Sequence, residues 1–221
     1  LGAKDHFSPV GNPAPPLPLN SEDLISSIKP DFVFHLAAQA LVSKSYENPR
    51  YTFDTNIMGS VNVLDCTKVT KSVRSLIYVT SDKCYVNKEW VWGYRENDQL
   101  GGYDPYSASK ASAELIFSSF FNSYFKNLDV KVGIASVRAG NVIGGGDWSA
   151  GRLIPDCVNS LKNNKTILLR KPLATRPWQH VLEPLSGYLL LAKQLYLEPS
   201  KISGSYNFGP EIKSNKTVQE V

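Results

Sequence analysis

A chain of 221 residues, 42% hydrophobic and 20% charged, is long enough to bury one large α/β core, with or without a small appendage. Its net charge of +4 comes from scattered lysines without a basic block, which argues against a nucleic-acid partner and suits a substrate carrying phosphates. Three cysteines at unrelated spacings, three dispersed histidines and no apolar run of about 18 residues speak against a disulfide framework, a metal cluster and a membrane span, and predict a cytoplasmic protein with reduced thiols.

Residues 1–20 contain Pro9, Pro13, Pro15, Pro16 and Pro18, so an irregular segment is expected there. Ser21 can cap a helix over 21–28, with Leu24, Ile25 and Ile28 on one face. Residues 31–38 form a continuous apolar run ending in small side chains, the pattern of a parallel strand covered on both faces with room for a ligand at its carboxyl end. Asn48 and Pro49 announce a long helix whose inner stripe is Phe53, Ile57, Val61 and Leu64. Strands follow over 76–79 and 130–138. Strand, helix and strand in alternation imply a parallel sheet with right-handed crossovers and ligands beyond the carboxyl ends of its strands. The fold class is therefore α/β, with a Rossmann-like sheet over residues 21–143. Residues 144–221 show fewer parallel-strand signals and predict a smaller, substrate-binding lobe. Its expected elements are a helix opening at Leu153, a short strand over 166–169, a helix over 185–196, a strand over 206–208 and the first turn of another helix over 217–221.

Chemistry concentrates between residues 80 and 110. The second strand ends in Thr80, Ser81, Asp82 and Lys83, which puts hydroxyls, an acid and an amine at one strand end. If Asp104 caps the next helix and Pro105 opens it, Tyr106 and Lys110 lie at i and i+4 on one face. An ammonium beside a phenol favours phenolate, so Lys110 is expected to lower the Tyr106 pKa from about 10 towards the working pH, making it a base. One such Tyr and Lys pair is expected by chance in about every chain of this composition, so the pair gains weight only from its position. Ala113, Ile116, Phe117, Phe120, Phe121 and Tyr124 continue the same stripe, and a lysine on an inward face calls for a cleft.

His35-Leu36-Ala37-Ala38-Gln39, Asp54-Thr55-Asn56-Ile57-Met58-Gly59, Tyr106 with Lys110, and Arg138-Ala139-Gly140-Asn141-Val142 occur in an order that resembles the extended short-chain dehydrogenase/reductase family. Within it the chain is most similar to the sugar-nucleotide 4,6-dehydratases. The strings from Thr80 to Tyr85, Gly140 to Trp148 and Arg176 to Val181 resemble the members that act on CDP-glucose. The resemblance implies an NAD-dependent lyase that dehydrates CDP-glucose to CDP-4-keto-6-deoxyglucose in deoxysugar biosynthesis. It assigns Tyr106 and Lys110 to the sugar 4-hydroxyl, Ser81 to the 4-oxygen, Lys83 to the C5 proton and Asp82 to the departing 6-hydroxyl. Those last two roles need the Lys83 pKa lowered and the Asp82 pKa raised, which burial does for both. Leu36, Ala37, Ala38, Thr55 and Thr80, with Tyr106 and Lys110, resemble cofactor-lining positions. Asn141, Arg152, Arg176 and Asn207 resemble substrate-contacting ones, arginine suiting a diphosphate through its bidentate fork. No metal is implied. A homodimer is, through the two long helices that carry Asn56 and Tyr106.

Two departures qualify the resemblance. The base position, commonly glutamate in the dTDP-glucose enzymes, is Lys83 here. The Gly-x-x-Gly-x-x-Gly turn that would hold the NAD pyrophosphate has no match, so the sequence predicts a sheet lacking its first βα unit, weak NAD binding and residues missing at both ends. The alternatives are a dTDP-glucose 4,6-dehydratase or nucleotide-sugar epimerase and, from another class, a non-catalytic fragment or scaffold.

Overall fold

The computed structural model describes residues 21–126 and 131–221; the proline-rich stretch 1–20 and residue 130 lie outside them. Helix α1 (Ser21–Ile28) leads into β1 (Phe32–His35), so only the first half of the apolar run over 31–38 is strand. Its second half is an irregular exit leading to α2 (Val42–Glu47), a short helix that the sequence pattern does not announce. The long helix that follows consists of α3 (Pro49–Phe53), a π-turn (Asp54–Met58) and α4 (Gly59–Val69). Asn48 caps it, its Oδ1 accepting from the Tyr51 amide at 3.1 Å, and Pro49 fills the first turn.

Strand β2 (Ser75–Val79) ends in a 3₁₀ turn, Asp82–Cys84, and α5 (Pro105–Phe120) leads to β3 (Gly133–Ala139). Beyond these come β4 (Val142–Ile143), α6 (Leu153–Lys162), β5 (Thr175–Pro177), β6 (Gln179–His180) and α7 (Leu182–Leu197). The last elements are α8 (Pro199–Ile202), β7 (Gly204–Phe208) and β8 (Asn215–Thr217).

The main sheet is parallel throughout, in the order β1-β2-β3-β7. Alternation along β2 sends Leu76 and Tyr78 to one face, where they meet Val63 and Leu64 of α4 and Ala113 and Phe117 of α5. Ile77 points to the other face and packs with Ala135 and Val137 of β3 and with Tyr188, Leu191 and Leu195 of α7. Two helical layers thus enclose the sheet, which holds the carboxyl ends of β2 and β3 side by side.

The lobe expected over 144–221 is smaller than the sequence suggests. Strand β7 pairs with β3 and α7 covers the sheet, so both belong to the main layer. What remains of the lobe is α6 and two small ladders, β4 with β6 and β5 with β8. The strand expected over 166–169 is absent, because no neighbouring segment offers it a ladder, and Leu168 is 87% exposed. Thr217, expected to start a helix, closes β8. It nonetheless exchanges hydrogen bonds with Glu220 in the manner of a capping box, Thr217 N donating to Glu220 Oε2 at 2.7 Å and Glu220 N to Thr217 Oγ1 at 3.3 Å. Among the described residues no helix is long and apolar enough to cross a membrane, and no cluster of potential metal ligands occurs.

Candidate active site

The amino end of α5 is built as its sequence suggests. Asp104 Oδ1 accepts from the Ser107 amide at 3.0 Å, Oδ2 accepts from the Ser107 hydroxyl at 2.6 Å, and Pro105 opens the helix. Tyr106 and Lys110 are consequently both turned inward, 8% and 6% exposed. Between them Ser109 receives a hydrogen bond from Asn56 Nδ2 at 2.8 Å. Asn56 in turn exchanges hydrogen bonds with the Gln39 backbone, accepting from its N–H at 2.8 Å and donating to its carbonyl at 3.1 Å. The π-turn that carries Thr55 and Asn56 is thereby fastened both to the exit of β1 and to α5. Widened helical turns of this type often mark functional sites.

The other half of the site is the turn after β2. The Ser81 hydroxyl accepts from the Lys83 amide at 3.2 Å and donates to Asp82 Oδ1 at 3.1 Å, which caps the 3₁₀ turn. This hydroxyl is also close enough to the Tyr106 phenol to favour the phenolate. Burial holds the Asp82 carboxyl above the usual carboxylate range, while the nearby charges of Lys83 and Arg176 and the Ser81 hydrogen bond pull it down. Gly140, just past β3, allows this closeness. A Cβ there would come within 2.7 Å of Pro177 Cγ and 3.5 Å of Asp82 Oδ2.

One electrostatic expectation is overturned. Lys110 does not dominate the Tyr106 phenol: burial pushes it up, with the charges of Asp82 and Asp104 acting the same way, while the Ser81 hydrogen bond and the charge of Arg152 pull it back. Lys110 itself is lowered to about 8, chiefly by burial and against the favourable charge of Glu114. His35, its ring tilted against that of Tyr78 with centroids 5.4 Å apart, is lowered to about 4 by burial and by the charge of Lys110.

Ser81, Asp82, Lys83, Tyr106 and Lys110 therefore converge where β2 ends and α5 begins. Arg176 and Arg152 approach the same point, since their charges reach Asp82 and Tyr106 respectively. Arg152 also pairs with Asp147 at 3.0 Å, and Arg176 Nη1 donates to the Thr175 carbonyl at 2.7 Å. The Asn141 carbonyl accepts from the Gln179 amide at 3.1 Å, joining β4 to β6. Leu36 and Ala37 are exposed at the exit of β1, with Ala38 half-buried beside them. The Thr55 hydroxyl is buried without a hydrogen-bond partner.

Two of the expected ligand contacts have their polar groups engaged within the protein. The Thr80 hydroxyl donates to Glu114 Oε1 instead of facing the cleft. Asn207 accepts from the Tyr85 hydroxyl at 2.7 Å and donates from Nδ2 to the Tyr94 carbonyl at 2.9 Å. Sequence reasoning passed over Glu114 and Arg138, which form an ion pair of 2.6 Å at 1% and 4% exposure. The available signal was a second charge one turn beyond Lys110 on the inner side of α5 and the one charge within β3.

The model of the GDP-mannose 4,6 dehydratase family matches residues 19–209. The chain belongs to that family. A relative, CDP-glucose 4,6-dehydratase of Salmonella typhimurium, is 54% identical over 198 residues, which cover 88% of this chain and 55% of the relative. The dTDP-D-glucose 4,6-dehydratase of Dictyostelium discoideum is 27% identical over 202 residues, 86% of this chain and 44% of that protein. The chain thus spans about half the length of the curated relatives it matches. Among solved structures, a dTDP-glucose 4,6-dehydratase from Streptomyces venezuelae with NAD bound superposes at a TM-score of 0.76 and 22% identity, over 91% of this chain and 58% of that one. UDP-glucose 4-epimerase from Thermus thermophilus, in complex with NAD, gives 0.72 and 23%, over 90% and 62%. These likenesses show the fold, a Rossmann-type parallel sheet flanked by helices.

Proposed function

We propose that the protein is a cytoplasmic, homodimeric, NAD-dependent 4,6-dehydratase that converts CDP-glucose to CDP-4-keto-6-deoxyglucose. The observation that carries this reading is the inward placement of Tyr106 and Lys110 on the helix that packs against the Asp82–Cys84 turn, in a chain 54% identical to a CDP-glucose 4,6-dehydratase. The unpartnered buried hydroxyl of Thr55, the small residues at the exit of β1 and the inward Tyr106 and Lys110 fit the nicotinamide end of NAD and would hold it. NAD, when bound, supplies a reversible store for the hydride that leaves C4 and returns at C6.

Tyr106, aligned through Ser81, takes the 4-hydroxyl proton, and a 4-ketone results. The ketone acidifies the C5 proton, which Lys83 removes. Asp82, whose carboxyl burial pushes above the usual range, donates a proton to the 6-hydroxyl, which departs as water. Lys83 then returns a proton to C5 as hydride reaches C6, and the proton that Tyr106 took from the 4-hydroxyl replaces, through solvent, the one that Asp82 gave to the departing water. Arg152 and Arg176, whose charges act on Tyr106 and Asp82, are the side chains we assign to neutralise the diphosphate. Dimerisation is supported by exposed apolar side chains on the two long helices, Met58, Val69 and Leu115, and by Tyr124 in the π-turn Phe121–Phe125 after α5, each between 48% and 60% exposed.

Product analysis by NMR after incubation with NAD and either CDP-glucose or dTDP-glucose tests the reading. A 4-keto-6-deoxy sugar from CDP-glucose in preference to dTDP-glucose is the expected result. Preference for dTDP-glucose, an inverted hexose or no conversion of either contradicts it.

A further inference from the structure

We infer that Glu114, acting through Arg138 and Tyr85, is a positioning residue that fixes the turn carrying Asp82 and Lys83 against α5. This rests on the dehydration chemistry proposed above. Glu114 lies one helical turn beyond Lys110 and reaches both flanks of the catalytic turn. On the near flank its Oε1 accepts from the hydroxyl of Thr80, the residue before Ser81. Its Oε2 accepts from Arg138 Nη2 at 2.6 Å and from the Ser136 hydroxyl at 2.9 Å, both on β3. Arg138 Nη1 carries the connection to the far flank, donating to the Tyr85 hydroxyl at 2.7 Å and to the Glu96 carbonyl at 2.9 Å. Tyr85 closes the 3₁₀ turn, its amide donating to the Asp82 carbonyl at 3.4 Å, and its hydroxyl continues to Asn207 on β7.

Stability alone does not explain such a pair. Desolvating two charges costs several kcal/mol per ion, and well-packed apolar residues of similar volume usually serve as well or better. What an apolar pair cannot do is hold three strand ends and a turn at defined hydrogen-bond distances. Arg138 Nε is buried without a hydrogen-bond partner, but the remaining bonds of the network restrain the turn in this way, and proton transfer to a sugar tolerates little misplacement.

The test combines amide hydrogen exchange with steady-state kinetics on Glu114→Gln and Tyr85→Phe. The second variant removes one hydroxyl and keeps the ring stacked on Tyr94, so it decides the matter if the first fails to fold. Exchange over residues 81–86 is expected to accelerate while β3 and α7 keep their protection, and kcat is expected to fall about tenfold or more with KM changed less than about twofold. Unchanged exchange at 81–86 in Tyr85→Phe, acceleration spread evenly over the sheet, or a loosened turn with unaltered kcat overturns the inference. If the unsubstituted protein makes no 4-keto sugar yet the turn responds locally, the dehydration reading falls and the network's hold on the turn stands.

Discussion

Lys83→Ala is expected to leave a protein that still oxidises CDP-glucose at C4, reducing its NAD, but releases no deoxysugar. In the proposed mechanism the first oxidation depends on Tyr106, and Lys83 takes no part in it. Water loss requires the C5 proton to be removed, and Lys83 is the amine placed beside the buried Asp82 carboxyl. Loss of a positioned acid or base costs about a hundred- to ten-thousand-fold in the step it serves. Reduced nicotinamide should therefore accumulate in Lys83→Ala, measurable by its absorbance in a single turnover. Tyr106→Phe should show the reverse, a slow first step with no accumulation. Equal and mild effects from both substitutions would contradict this division of labour.

Lys110→Met is expected to make the protein more stable and less active at the same time. Burial lowers the Lys110 pKa from 10.5 to about 8, so the folded chain binds its proton less well than the unfolded chain does. Between those values the unfolded state holds more protons, and stability rises with pH. The cost of the buried ammonium is therefore complete below about pH 8 and vanishes above about pH 10.5, and at 1.36 kcal/mol per unit it is on the order of 3 kcal/mol. Methionine keeps the aliphatic bulk and removes the charge, so denaturant unfolding should show a gain near neutral pH that disappears as the solution becomes alkaline. The catalytic loss follows because Lys110 is one of the inward side chains proposed to hold the nicotinamide end of NAD. A variant destabilised equally at every pH would contradict the electrostatic cause.

Local signals were read well from sequence, and long-range partnerships were not. Asp104 and Pro105 fix the start of α5 within four residues, so the inward placement of Tyr106 and Lys110 could be read directly. Their approach to Ser81 and Asp82 followed from the rule that parallel strands end on one side of a sheet. Strand β7 escaped assignment to the sheet because Gly204–Phe208 is only half-buried and follows a long excursion through α6 and the small ladders. The apolar residues 166–169 misled for the opposite reason: their composition suits a strand but nothing lies beside them to complete one. The network of Glu114, Arg138, Tyr85 and Asn207 joins residues up to 122 positions apart, and no spacing rule links them. The direction of the Tyr106 shift depended on how deeply the phenol sits, which a helical stripe does not report. Asn207 illustrates the same gap, since its motif position suggested a ligand while its amide holds Tyr85 and Tyr94.

The sharpest measurement follows a label through one turnover. CDP-glucose carrying deuterium at C4 is incubated with the protein and NAD, and the product is examined by NMR and mass spectrometry. Deuterium recovered at C6, together with a solvent-derived hydrogen at C5, is the result predicted for Tyr106, Lys83 and Asp82 acting on one hexose. Deuterium kept at C4, or lost to solvent with no 6-deoxy sugar formed, would contradict it.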